Sequence, residues 1–160
     1  MFSSLDAGTG ERFKAAFRRY PTGVAVIAAA GPVGLTASSV ASVAADPPAL
    51  SFSVMGGRSA GRILAAPSFT VNLLGAAHIG LARDFARSDG PRFTPEQGWD
   101  VLPTGEPILP GALASLRAAP LRLVPVGDST VVVAGVLQVL LGPPGGRLVH
   151  HDRNFFGDDI

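Results

Sequence analysis

Gly34-Leu35-Thr36-Ala37-Ser38-Ser39-Val40-Ala41-Ser42-Val43-Ala44-Ala45-Asp46-Pro47-Pro48 carries four hydroxyls and neither an aromatic nor a charged side chain before Asp46. It follows a continuous Val/Ile/Ala run from Gly23 to Ala30 and the turn signal Gly31-Pro32, so Val33 to Val40 reads as the returning arm of a hairpin. Asp46-Pro47-Pro48 then breaks the chain, and Ala49 to Val54 alternates Leu50, Phe52 and Val54 with Ser51 and Ser53. That is a strand with one dry and one wet face, and the wet face is a candidate ligand face. Small donors beside a turn suit an anion or a ring edge. Taken alone, serines and threonines here equally suit plain edge or turn positions.

Outward from this stretch the short-strand pattern continues. Glu11 to Tyr20 spaces Phe13 and Phe17 four apart and ends at Pro21, which predicts a short amphipathic helix. Arg58 to Ala66 and Ala76 to Ala86 read as helices, Ser68 to Leu74 as a strand. Leu121 to Val126 and Ser129 to Leu140 read as the last strands, turning at Gly127-Asp128. Ser88 to Pro110, with Pro91, Pro95, Pro103 and Pro107 inside it, reads as a long loop. Many short strands with few helices predict a mainly β fold, a barrel with peripheral helices, in one domain spanning 1–160.

Composition narrows the partners. The 160 residues are 47% hydrophobic and only 16% charged, with a mean hydropathy of +0.35. The longest apolar run, Val131 to Leu141, is interrupted by Gln138 and falls short of the roughly 20 residues a spanning helix needs. No membrane is expected, and the surplus apolar surface predicts a large subunit interface. Net charge is +1 and the thirteen basic residues are scattered, so nucleic acid is not expected either. There is no cysteine, and Ser3, Ser4, Asp6 and Glu11 do not make a secretory signal. The expected location is cytoplasmic.

Side-chain chemistry is sparse. The histidines are His78, His150 and His151, and neighbours on a strand point to opposite faces, so no metal site is expected. The closest carboxylates, Asp158 and Asp159, sit among the last residues. No dinucleotide-binding G-x-G-x-x-G and no P-loop occur. What remains is chemistry that a bound cofactor carries.

Tyr20-Pro21-Thr22-Gly23-Val24-Ala25-Val26-Ile27, Gly34-Leu35-Thr36-Ala37-Ser38-Ser39 and Asp46-Pro47-Pro48-Ala49-Leu50 together resemble the N-terminal half of the flavin reductase family. The resemblance continues in order through Phe69-Thr70-Val71-Asn72-Leu73-Leu74, Leu81-Ala82-Arg83-Asp84-Phe85-Ala86 and Arg92-Phe93. Gly111-Ala112-Leu113-Ala114, Val126-Gly127-Asp128 and Leu148-Val149-His150-His151 complete it. It implies an FMN-binding split β-barrel, a homodimer, and NAD(P)H-dependent reduction of FMN or FAD for a separate oxygenase. Carried over by position, Thr36, Ala37, Ser38 and Ser39 would contact the flavin, with Ser53 and Ser59 on its anionic side. Asp46 and Pro47 would turn the backbone along the ring, and Phe85, Ala86 and Arg92 would close the site. No catalytic side chain is implied, since hydride transfer between nicotinamide and flavin is the cofactors' own chemistry.

Two departures touch the nicotinamide half. Gly127-Asp128-Ser129 stands where the family has Gly-Asp-His, which makes Ser129 the candidate there, able to donate a hydrogen bond in place of an imidazole. Near the end, His151, Arg153 and Phe155 keep part of an aromatic, histidine and basic pattern, and His151 is the second candidate. Two alternatives stay open: a split barrel holding FMN tightly and acting on another small molecule, and a flavin- or haem-binding protein without turnover.

Overall fold

The run from Gly23 to Ala30 is apolar throughout because its strand is covered on both faces. In the computed structural model, which describes residues 7–158, this strand is β1 (Ala25–Ala29), and all five residues are buried. Ala25, Ile27 and Ala29 point into one cluster with Phe52, Phe69, Val71 and Val132. Val24 and Val26 point into a second, with Leu81, Phe85, Leu109 and Leu148. Alternation along a strand sends neighbours to opposite faces, so one strand supplies two cores. Ser3, Ser4, Asp6 and Asp159, read above, lie outside the described residues.

Helix α1 (Thr9–Arg18) precedes β1; β2 (Val33–Ala37), β3 (Ala41–Ala45), β4 (Pro48–Met55), α2 (Arg58–Ala65), β5 (Phe69–Leu73) and α3 (Ile79–Ala86) follow. The second half holds two short strands, β6 (Asp100–Val101) and β7 (Pro107–Ile108), and two hairpins. These are β8 (Ala114–Val126) with β9 (Ser129–Leu141), and β10 (Arg147–His151) with β11 (Asn154–Asp158). Seven strands make one antiparallel sheet in the order β2-β1-β5-β8-β9-β4-β3. The fold is mainly β with helices at its periphery, as expected, but no closed barrel forms: β2 and β3 are free edges. The sheet nevertheless curls. Ser39, just past β2, exchanges two hydrogen bonds with Ser53 of β4, the sixth strand in order: its Oγ donates to the Ser53 carbonyl at 3.2 Å and accepts from the Ser53 N–H at 2.9 Å.

Strands β6 and β7, inside the span read as a long loop, and β10 and β11, after the strands read as last, escape the sequence reading; two further strand boundaries differ from it. The arm drawn from Val33 to Val40 ends at Ala37, and Ala41–Ala45 is a separate edge strand, exposed along its whole length, that carries no alternation to detect. Strand β8 starts well before Leu121. It passes through Pro120 because the pairing slips between Pro120 and Arg122, a bulge that accommodates a residue without an N–H. Gly127, at φ 60, makes the β8–β9 turn that Gly127-Asp128 predicted.

The long loop after α3 is tied down by a buried ion pair. Glu106, 2% exposed, accepts from Ser68 Oγ at 2.7 Å, Thr104 Oγ1 at 2.6 Å and Arg117 Nε at 3.0 Å. Burial pushes its pKa up, but those three hydrogen bonds and the Arg117 charge outweigh burial and hold it below the ordinary carboxylate value. A depressed folded pKa means stability that is present above the unfolded pKa and lost as pH falls through the folded one. Glu106→Gln is expected to lower stability by about 3 kcal/mol, because it strands the partly buried Arg117. Urea midpoints across pH should then show the acid-side decline of the parent flattened in the variant; parallel profiles would contradict this.

Exposed large apolar side chains cluster in two regions, with Val43, Met55, Val101 and Phe156 exposed elsewhere. One is the β8–β9 hairpin, including Leu121, Val126, Leu137 and Leu141. The other is α1 and the residues just after it, where Phe13, Phe17 and Tyr20 are 62%, 59% and 64% exposed. No helix among the described residues is long and apolar enough to cross a membrane.

Candidate functional site

Residues 38–40 pass from one free edge of the sheet, β2, to the other, β3. That passage brings the hydroxyl-rich stretch to the mouth of an open cleft of about 520 Å³. Thr36, Ala37, Ser38, Ser39, Ser53, Phe85, Ala86 and Arg92 line it, joined by Leu35, Val54, Met55, Ser88, His150 and Phe155. Four chain regions far apart in sequence therefore meet there.

The candidates do different things. Thr36 Oγ1 donates to the Ala82 carbonyl at 3.2 Å and so fixes α3 to the edge strand. Ser39 is committed to Ser53, as described above. Ser38 and Ser88 make no hydrogen bond to another described residue, which leaves their hydroxyls available to a ligand. Phe85 is 2% exposed and packs against Phe93 at 5.1 Å and Trp99 at 5.6 Å between ring centroids, so it is core first and cleft wall second. Arg92 lies with its guanidinium 5.3 Å from the Phe85 ring centre and donates to the carbonyls of Gly34, Gly90 and Phe85. A guanidinium has five N–H donors, so two remain for an anion.

Five candidates are not brought to the cleft. Asp46 and Pro47 form the β3–β4 turn, at the opposite end of β4 from Ser53. Ser59 sits in the first turn of α2, beyond Gly56-Gly57. Ser129 pairs with Met55 across the β4–β9 ladder, one strand away from the lining residue. His151 is displaced by its neighbour, because Leu148 is buried and His150, two residues on, shares its face. The buried face of β10 was the signal that could have chosen His150 over His151.

Gly57-Arg58-Ser59-Ala60-Gly61 has the G-x-S-x-G spacing of a nucleophile elbow, between a strand and a helix. The elbow is not formed: the described non-glycine residues with positive φ are Phe93, Asp152 and Arg153, and no histidine hydrogen-bonds to Ser59. Among the described residues, no three His, Cys, Asp or Glu side chains gather to hold a metal.

A curled antiparallel sheet whose cleft offers hydroxyls, a braced arginine and aromatic walls defines a binder of a planar, anionic cofactor. The chain belongs to the flavin reductase family: the flavin reductase like domain matches residues 17–157. It is 44% identical over 131 residues to an NADH:FMN oxidoreductase of Rhodococcus qingshengii, covering 79% of this chain and 68% of that protein. It is 33% identical over 149 residues to the reductase component of a 4-hydroxyphenylacetate 3-monooxygenase of Thermus thermophilus, covering 91% and 94% of the two. Among solved structures, a Streptomyces globisporus NADH:FAD oxidoreductase in complex with NAD and FAD fragments superposes with a TM-score of 0.85 at 28% identity. That superposition covers 98% of this chain and 97% of the other.

Proposed function

We propose that this chain reduces FMN or FAD with NADH or NADPH and hands the reduced flavin to a separate oxygenase. The observation that carries the reading is the convergence of Ser38, Ser53, Ser88 and Arg92 with the Phe85 wall on one cleft, in a member of this family. A bound flavin would supply the hydride-accepting ring, with the reduced nicotinamide as donor substrate. The chain's part is positional. Arg92, braced by three carbonyls, turns its remaining donors toward the flavin phosphate. Ser38 and Ser88 donate to the polar edge of the ring system or its side chain. His150, held by paired backbone hydrogen bonds between its own strand and Thr22, stands at the other wall, where a nicotinamide amide can be met. The cleft is open, which suits a flavin that enters and leaves as a substrate.

The exposed apolar strands β8 and β9 support a homodimer built on that face. The names of the relatives support an oxygenase partner, and the use of the cellular nicotinamide pool supports a cytoplasmic setting for this one-domain chain. A steady-state assay crossing both flavins with both nicotinamides should show nicotinamide oxidation that requires protein and free flavin together. No oxidation in any pairing would overturn the reading.

A further inference from the structure

A second cavity, of about 690 Å³, opens beside the cleft and shares Ser38, Ser39 and His150 with it. Its outer wall is built from α1 and the β10–β11 turn. These are locked together by backbone hydrogen bonds: Asp152 N–H donates to the Arg18 carbonyl at 3.2 Å, and Thr22 and His150 exchange two, at 3.0 and 2.9 Å. Lys14, Arg18 and Arg153 face it, against the single carboxylate of Asp152. The Lys14 contact to Glu11 is 3.3 Å long and fully in solvent, too weak to take that ammonium out of use. Phe17 and Tyr20 complete the wall, edge to face at 6.5 Å, and both are more than half exposed, which the fold itself does not require.

We propose that this cavity receives the adenosine diphosphate tail of the nicotinamide dinucleotide whose reduced ring lies by His150 in the adjoining cleft, with Lys14 and Arg18 on the phosphates and Tyr20 beside the base. The inference rests on the flavin reductase reading. Its grounds are three cations converging where a chain of phosphates would leave the cleft, and aromatic faces free to stack on a base. Arg153, held at φ 63 in the hairpin turn, is presented from the opposite side to α1, so a pyrophosphate would be gripped between two elements.

NADH and FAD both carry such a tail, and FAD, whose flavin phosphate is read on Arg92 in the cleft, serves as the control. Lys14→Gln/Arg18→Gln removes two charges from the exposed helix and leaves untouched the Arg18 carbonyl that docks the hairpin. Four KM values are measured: NADH and reduced nicotinamide mononucleotide, each with FMN as acceptor, then FAD and FMN, each with reduced nicotinamide mononucleotide as donor. A rise of roughly tenfold for NADH alone, with kcat kept, is the expected result, and the same rise for FAD alone overturns it by assigning the cavity to the flavin dinucleotide. The mononucleotide arms report whether the variant is intact. All four values within twofold of the parent overturn the inference, and so does an equal rise in all four. No turnover by the parent protein in any arm sinks the flavin reductase reading with it.

Discussion

Asn72→Leu is expected to cost about 4 kcal/mol of folding stability, which a fall in urea midpoint at unchanged slope would register. Asn72 is fully buried, and its amide joins four parts of the chain. Nδ2 donates to the Val26 carbonyl and to Thr70 Oγ1, each at 3.0 Å, while Oδ1 accepts from the Leu109 N–H at 3.0 Å and from Ser115 Oγ at 2.9 Å. Leucine nearly fills the same volume but satisfies none of these groups. Ser115 can still donate to the Leu109 carbonyl at 3.2 Å. The Leu109 N–H and the Val26 carbonyl are left without this partner in a dry interior, at about 1–3 kcal/mol for each buried group left unsatisfied. The loss also frees the segment leading from β7 into β8, whose Leu109 and Ala112 belong to the core behind Phe85. A cost below about 1 kcal/mol would show that water or a backbone shift replaces the amide.

The second large effect falls on the cleft. A Cβ added at Gly34 would stand 2.8 Å from Phe85 Cε1 and 2.9 Å from Phe93 Cζ, closer than side chains pack. Those rings meet edge to face at 5.1 Å, and Arg92 rests on the first of them while donating to the Gly34 carbonyl itself at 3.4 Å. Gly34→Val must therefore move the aromatic pair, and the guanidinium moves with it. We expect a loss of about 3 kcal/mol in stability from overpacking and a weakening of FMN binding by roughly tenfold or more. Gly34→Ala should do the same to a smaller degree. Flavin fluorescence titrated with each protein reads the binding, and a melting curve reads the stability. Unchanged FMN affinity in a destabilised Gly34→Val would mean that Arg92 does not hold the flavin.

What could be read from the sequence follows what each side chain reports. The alternation in β4 is a local signal, and Leu50, Phe52 and Val54 are indeed buried while Ser53 faces out. The unbroken run of β1 marks a hairpin arm, and its burial on both faces follows from neighbours that periodicity alone does not name. Edge strand β3 was invisible because nothing covers it, and the first half of β8 because Arg117 and Pro120 mask a ladder that only long-range pairing with β9 stabilises. Curling of the sheet, which brings residue 39 to residue 53, depends on contacts spread over six strands and has no local signature. For the same reason the hydroxyls could be named but not sorted. Thr36 and Ser39 turn out to hold α3 and β4 in place, and Ser38, Ser88 and His150 are the groups left facing the cleft. Of the residues the family resemblance pointed to, most line this cleft, whereas Ser59 stands in the first turn of α2 and Ser129 one strand away from it.

Flavin is expected in the cleft between residues 35–39, Ser53 to Met55 and Phe85 to Arg92. A crystal structure of the protein with FMN tests it most directly. The ring system is expected over residues 36–39 and against Phe155 or Met55, with its phosphate within hydrogen-bonding distance of Arg92. Flavin density in another cavity, such as the one between Arg62 and Arg117, with this cleft empty at saturating FMN, would contradict it.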